Sequence, residues 1–263
     1  MSENLEIYLN SKTATQYLDN NVADCIFTIP NIELDILKED VYVGVRNAVL
    51  PYSWYVVNST NNKLDITIDG TAYSVNIPLG NYNVNTLATQ LKSLIDALQI
   101  QHSITGTFSI TYLGTINKLY FFHSAKSFSF RSTSTCFELL GFNDGNTYIA
   151  SALPFQTIKH ELTSTIGINL FGVRAVYVNS NNFILQNINS STPSNASILA
   201  SISVTGNPNS IIHYENTTSK HKIHTLNNIN NLHVKLTDQD GDLLELNSIN
   251  WSMTLEITII PKN

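Results

Sequence analysis

LDITIDGTAYSVNIP (residues 64–78) carries two runs of β-branched and aromatic residues on either side of Asp69-Gly70. An Asp-Gly pair between alternating apolar residues is a strong signal for a type I′ hairpin turn. The next segment, VNTLATQLKSLIDAL (84–98), changes period. Its apolar residues fall at 84, 87, 88, 91, 94, 95 and 98, the 3.6-residue repeat of an amphipathic helix, with Asn83 or Asn85 as the N-cap. A second hairpin is expected over SITYLGTINKLYFF (109–122). A short helix is expected over TSTCFELL (133–140), ending at Gly141. The block 60–145 therefore reads β-β-α-β-β-α.

On both sides of this block the chain reads as nearly pure strand. DCIFTI (24–29) and VYVGVRNAVL (41–50) precede it. TIGINL (165–170), VRAVYV (173–178), NFILQ (182–186), SILASISV (197–204), SIIHY (210–214), KIHTL (222–226), NLHVKLT (231–237), LLEL (243–246) and WSMTLEITII (251–260) follow. Turn signals recur every 8–12 residues or so, the spacing of a sandwich or barrel. Without the block about eight strands remain, two before and six after, which is the jelly-roll number. The expected fold class is all-β dominated: a single jelly-roll β-sandwich with an inserted small α+β subdomain. The expected division is an N-terminal arm at 1–20, a jelly roll made of 21–58 and 150–263, and the insert at 59–149. The arm is polar and weakly patterned, so it is expected to order only against a neighbour.

Composition narrows the function. Charged residues are 13% of the 263, about half the usual share. The surface is solvated instead by 33 Asn with many Ser and Thr, as on β-rich assembly proteins. A net charge of −6 offers no long-range attraction to nucleic acid or anionic lipid. The densest basic cluster is only Lys220-His221-Lys222. The first 20 residues lack a basic region and an apolar core, so no signal peptide is expected. No run nears the length of a membrane-spanning helix.

Candidate sites read most simply as structure. Cys25 and Cys136 form no CxxC pattern and sit in apolar stretches, so buried free thiols are expected. Asp238, Asp240 and Asp242 alternate as calcium ligands can. The closing Glu of a calcium loop is missing, and Asp240-Gly241 reads as a hairpin turn. His213, His221, His224 and His233 crowd the last third without metal-ligand spacing. Neither GxSxG, GxGxxG nor a phosphate-binding loop occurs. No catalytic, cofactor-binding or metal-binding residue is assigned, and no cofactor is expected. Aromatics near 52–55 and the polar loop 187–197 are the places for a sugar platform. Filling a core and lining subunit contacts is the simpler role for the aromatics.

Specific segments suggest a family. VGVRNAVLPYSWYVVNSTNN (43–62) joins an apolar strand to Pro-Tyr-Ser-Trp-Tyr and an Asn-rich turn. The hairpin 64–77, IPLGNYNVNTLATQL (77–91), LLGF (139–142) and LTDQDGDLLELNSINWSMTLEI (236–257) follow in order. This series resembles the penton and minor capsid proteins of double-stranded DNA viruses whose major capsid protein is a double jelly roll. That lineage includes polinton-like viruses, virophages and giant viruses. The resemblance implies a non-enzymatic structural protein of the virion, assembled in the host cell. It implies a homopentamer at icosahedral vertices that contacts the major capsid protein, with other minor capsid proteins as further partners and no direct contact with nucleic acid. Two alternatives stay open: a non-penton minor (cement) capsid protein, and a jelly-roll carbohydrate-binding attachment module. A β-sandwich hydrolase is the third reading.

Overall fold

The computed structural model describes residues 2–154, 156–183, 185, 187–188, 195–223 and 228–262. Strand accounts for 46% of the chain and helix for 12%, so the fold is all-β dominated. The chain divides into two compact units, one formed by 1–54 and 173–263 and the other by 55–172. Unit 1 opens with β1 (Glu3–Asn10), β2 (Gln16–Tyr17), β3 (Asp24–Glu33) and β4 (Glu39–Pro51). Unit 2 holds β5 (Lys63–Ile68), β6 (Thr71–Asn76), α1 (Val84–Gln101), β7 (Phe108–Leu113), β8 (Lys118–His123) and β9 (Phe128–Phe130). It continues with α2 (Phe137–Leu140), β10 (Tyr148–Ile149), β11 (Ser151–Leu153) and β12 (Gln156–Thr163). Unit 1 resumes with β13 (Ala175–Asn179), β14 (Asn187–Ile188), β15 (Asn195–Ala196) and β16 (Ile198–Ser203). It ends with β17 (Ile211–Glu215), β18 (His221–Lys222), β19 (Asn228–Thr237) and β20 (Ser252–Pro261).

Among its described residues, unit 1 contains two five-stranded antiparallel sheets and the small β14-β15 pair. One has the order β1-β20-β4-β17, with β18 also on β4, and the other has the order β16-β13-β19-β3-β2. Count β1, β3, β4, β13, β16, β17, β19 and β20 as first to eighth. The sheets then read first-eighth-third-sixth and second-seventh-fourth-fifth. This interleaving of two Greek keys is the jelly roll. The chain leaves it for unit 2 between the third and fourth strands. The sheets meet through one continuous core. Ile7, Val43 and Leu255 come from the first sheet, Phe27, Val178 and Val234 from the second. Trp251 packs edge-on to Phe27 with ring centroids 5.9 Å apart, and its Nε1–H donates to Val22 O at 2.6 Å.

Strand β4 shows how sequence sets the inward face. Val41, Val43 and Val45 point into the core, and then Ala48 and Leu50 do. A strict two-residue period would have placed 47 and 49 there. The pairing with β20 slips between Thr254 and Leu255, which face Asn47 and Val45. Arg46 is thus the extra residue of a β-bulge, and it moves the apolar phase by one.

Three strand expectations are corrected, the briefest being LLEL (243–246), where only Leu243 forms a bridge, to Thr237. The segment 1–20, expected as an arm, carries β1, which pairs with β20 at every position from Glu3↔Ile259 to Asn10↔Ser252. Leu5, Ile7 and Leu9 alternate toward the core while charged and polar residues alternate outward, so the strand reads as polar on average. Three strands therefore precede unit 2 and five follow it, not two and six. TIGINL (165–170) is not a strand. It starts with a bend at 165–166 and is tied down by Ile166 N–H on Gly141 O and Ile168 N–H on Asn117 O. NFILQ and KIHTL fall partly outside the described residues.

Unit 2 has sheets β10-β9-β5-β6 and β11-β12-β8-β7. Asp69 and Gly70 have φ of 51° and 80° in the two-residue turn closing Ile68↔Thr71, the type I′ geometry. Asn83 caps α1, accepting from the Asn85 and Thr86 amides, while the Thr86 side chain returns the bond. Leu87, Leu91, Ile95 and Leu98 form its buried face. The expected helix at 133–140 shortens to 137–140, closed by Gly141 at φ 80°. The two sheets share an aromatic core in which Phe121 meets Phe130 edge-on, centroids 4.9 Å apart. Residues 150–172 belong to this unit, because β12 pairs with β8.

Candidate functional site

The outer face of the sheet β1-β20-β4-β17 carries a connected set of polar and charged side chains. Alternation puts Asn4, Glu6 and Tyr8 of β1 on it, beside Glu256, Thr258 and Ile260 of β20. At the far edge, β17 adds Ile211, His213 and Glu215. Gly44 lies on this face in β4. A Cβ there would stand 2.7 Å from Ser219 O and 3.4 Å from Lys220 Cγ. The missing side chain lets the 216–220 turn lie across the strand. Lys220 then reaches over β4 and places Nζ 2.8 Å from Glu256 Oε1 and 2.6 Å from Thr258 Oγ1. Thr258 Oγ1 donates onward to Asn4 Oδ1 at 2.8 Å.

Among the described residues, most other charges on this face are also matched, Glu215 excepted. Arg46, projected by the bulge, pairs with Glu6, and the Tyr8 hydroxyl donates to the second Glu6 oxygen. Lys222 and Lys262 both approach Asp40, at 2.9 and 3.7 Å. Lys222 holds the Asp40 carboxyl below its ordinary range, and Asp40 raises the Lys222 ammonium in return. A face with most of its charges paired internally can be covered by another protein with few stranded ions, which are the expensive outcome. Exposed apolar groups stand among the pairs: Tyr8 at 76%, Ile211 at 60% and Ile260 at 41%. The depression over Gly44, lined by Arg46, the 216–220 turn and Glu256, is shallow and encloses no space that a water-sized group could occupy. Ligand pockets run to roughly 300–1,000 Å³, so this surface suits a flat macromolecular contact better than a small molecule.

The residues singled out from sequence scatter. Asp238 Oδ1 accepts the Asp240 and Asp242 amides, each at 2.9 Å, and Gly241 has φ 93°. The acidic triplet is therefore a turn, bridged at Thr237↔Leu243. Burial raises the Asp238 carboxyl pKa, with Asp242 and Asp240 adding repulsion, against the two amide bonds that lower it. His213 is exposed on β17, His221 Nε2 lies 3.2 Å from Leu199 O, and His233 bonds Asp24 and Asn181. His224 lies outside the described residues. Among the described residues no three His, Cys, Asp or Glu side chains gather as a metal site. Cys25 and Cys136 are buried free thiols, one in each unit. Tyr52 and Trp54 stack at 4.6 Å inside unit 1, 6% and 3% exposed, which removes them as a sugar platform. Most of the loop 187–197 lies outside the described residues.

Sequence reasoning passed over Gly44 and Glu256, and weighed Lys220 only as part of a small basic cluster. Gly44 had a signal: a glycine inside a strand marks a close approach of another chain segment.

No protein-family model matches the chain. Over 172 residues, 55% of this chain, it is 26% identical to an uncharacterized protein of Acanthamoeba polyphaga mimivirus. The match spans 25% of that protein's length. Among solved structures, the fold is similar to that of the mavirus penton protein, with a TM-score of 0.51 and 12% identity over 100% of both chains. A chain from the Sputnik virophage cryo-EM structure aligns at a TM-score of 0.40 and 12% identity, covering 99% of this chain and 98% of that one.

Proposed function

We propose that this chain is a structural capsid protein of a virion, the penton that forms homopentamers at icosahedral vertices and contacts the major capsid protein. The observation that carries the reading is end-to-end likeness. The jelly roll and the unit entering it between its third and fourth strands align along the full length of the mavirus penton protein. The chemistry of the sheet face supports the same reading. A ring of five needs a heterologous contact that closes after five steps, repeated without accumulating repulsion. Low charge density and internally paired ions meet that need. The fold uses its polar groups for turns, caps and strand-to-strand bonds, so no reaction is assigned to it.

Size measurement of the purified chain tests the proposal. Light scattering coupled to gel filtration should give five copies of the 29.3 kDa chain, alone or on addition of the major capsid protein. Imaging of virions with antibody to this chain should place label at the fivefold vertices. A monomer under both conditions together with label elsewhere on the shell overturns the penton assignment and favours a cement position.

A further inference from the structure

We infer that His123 is an acid-sensitive latch of unit 2, whose neutral ring holds the turn after β8 and whose protonation releases it. The histidine ends β8 and is fully buried. Its Nδ1 accepts two backbone N–H bonds, from Ala125 at 3.1 Å and Lys126 at 3.0 Å. Two donors aimed at Nδ1 put the ring proton on Nε2. Gln99 Nε2 of α1 is placed 2.9 Å from His123 Nε2; with the ring proton on Nε2, the Gln99 amide is assigned the turned-over orientation in which its oxygen accepts. The ring is closed in on its remaining sides. Phe108 of β7 meets it edge-on at 6.0 Å. Gly106 has φ 105°, and a Cβ there would stand 2.7 Å from His123 Cε1.

A second proton has only Nδ1 to go to. There it would confront the two N–H groups already pointing at that atom, and three donors cannot share one site. The turn 123–126 must then open. Charge works in the same direction. His160 of β12 stands directly opposite His123 in the strand register. His160 Nδ1 is itself buried without a hydrogen-bond partner among the described residues. Lys126 follows three residues on, its ammonium 2.6 Å from Asp69 of the β5–β6 turn. From the helix, only the neutral Gln99 faces the ring. Burial, then His160 and Lys126, hold the imidazole below its ordinary pKa, against a smaller opposing pull from Asp69.

The sign follows. The unfolded chain binds this proton near about pH 6.5, while the folded ring binds it only at lower pH. The unfolded state thus holds more protons in that window, and stability falls as pH falls. Neutral His123 contributes fully above the unfolded value, and its contribution is lost as pH drops through the folded one. The elements released are the turn, the β8–β12 pairing and the Gln99 contact, all within unit 2.

Amide hydrogen exchange on the full chain at about pH 8 and pH 5, corrected for intrinsic rates, tests this. Protection of the Ala125 and Lys126 amides, and of β12, should fall by up to about tenfold per pH unit below about 6.5. The β4–β20 amides of unit 1 should keep theirs. The substitution His123→Asn supplies an oxygen acceptor near the Nδ1 position that does not titrate, and should make the unit 2 profile flat. Unchanged protection at 125–126 in the unaltered chain overturns the inference, whether or not the variant folds. An equal acid loss in H123N overturns it too.

Discussion

Lys220 Nζ stands 2.8 Å from Glu256 Oε1, on the far side of the strand that separates them. Both side chains are mostly covered, 24% and 14% exposed. The pair ties the β17–β18 connection to the C-terminal strand through a position that holds only a glycine. Removing one partner should cost more than an exposed ion pair is worth, because the other charge stays half-desolvated. Glu256→Gln and Lys220→Met should each destabilise by about 1–3 kcal/mol. The double variant should cost less than the sum. Denaturant unfolding of the four proteins in a double-mutant cycle measures the coupling.

Gly44→Ala should destabilise the jelly roll by about 1–3 kcal/mol, since the new methyl meets Ser219 O, which is backbone and cannot swing away. Gly70→Ala is the comparison. Nothing lies within 4 Å of its Cβ position, but φ is +80°, so only backbone strain of roughly 1–2 kcal/mol applies. G44A should also loosen the 216–220 turn, which limited proteolysis detects, whereas G70A should leave that turn intact.

Asn83→Ala removes the side-chain half of the capping box of α1, the acceptor for the Asn85 and Thr86 amides, and leaves the Thr86 hydroxyl on the backbone amide of residue 83. The expected loss is about 1 kcal/mol, seen as a lower melting temperature, with Asn83→Ser recovering most of it. Equal melting temperatures for the alanine and serine variants would show that the cap contributes nothing here.

The two thiols should be silent in the folded chain. Burial pushes Cys25 and Cys136 up to about 12, with Asp24 adding repulsion at Cys25. A thiol reagent at pH 8 should label neither until denaturant is added. Tyr120 is likewise raised to about 12, by burial and by its bond to Glu161. All three folded values lie above the unfolded ones. Their contribution is therefore complete below about pH 8.5 and is lost progressively as pH rises toward 12. A melting temperature that stays level from pH 9 to 11 would contradict this.

Local signals carried far in the sequence. The Asp69-Gly70 turn, the Asn83 cap, the Gly141 helix stop and the turn at Asp240-Gly241 were all legible, because each rests on backbone angles and bonds within a few residues. The strand-rich class was legible for the same reason: β-branched residues and period-two alternation are local properties. The buried state of both cysteines followed from their apolar neighbours. The edge strand β1 was also written there, as Leu5, Ile7 and Leu9. It was masked by outward residues that match a solvated tail as well as a half-buried strand.

Strand neighbours were decided only in three dimensions. A period of two says which side chains share a face, but it is the same whichever strand lies alongside. The sequence alone therefore determined a β-rich chain with a helix-bearing middle, its turns and its caps. Tertiary structure decided the jelly-roll order, the bulge at Arg46, the reach of Lys220 over Gly44 and the closed pocket around His123. Each of these joins segments far apart in the chain. It forms only where buried apolar surface and matched hydrogen bonds exceed the entropy of bringing those segments together.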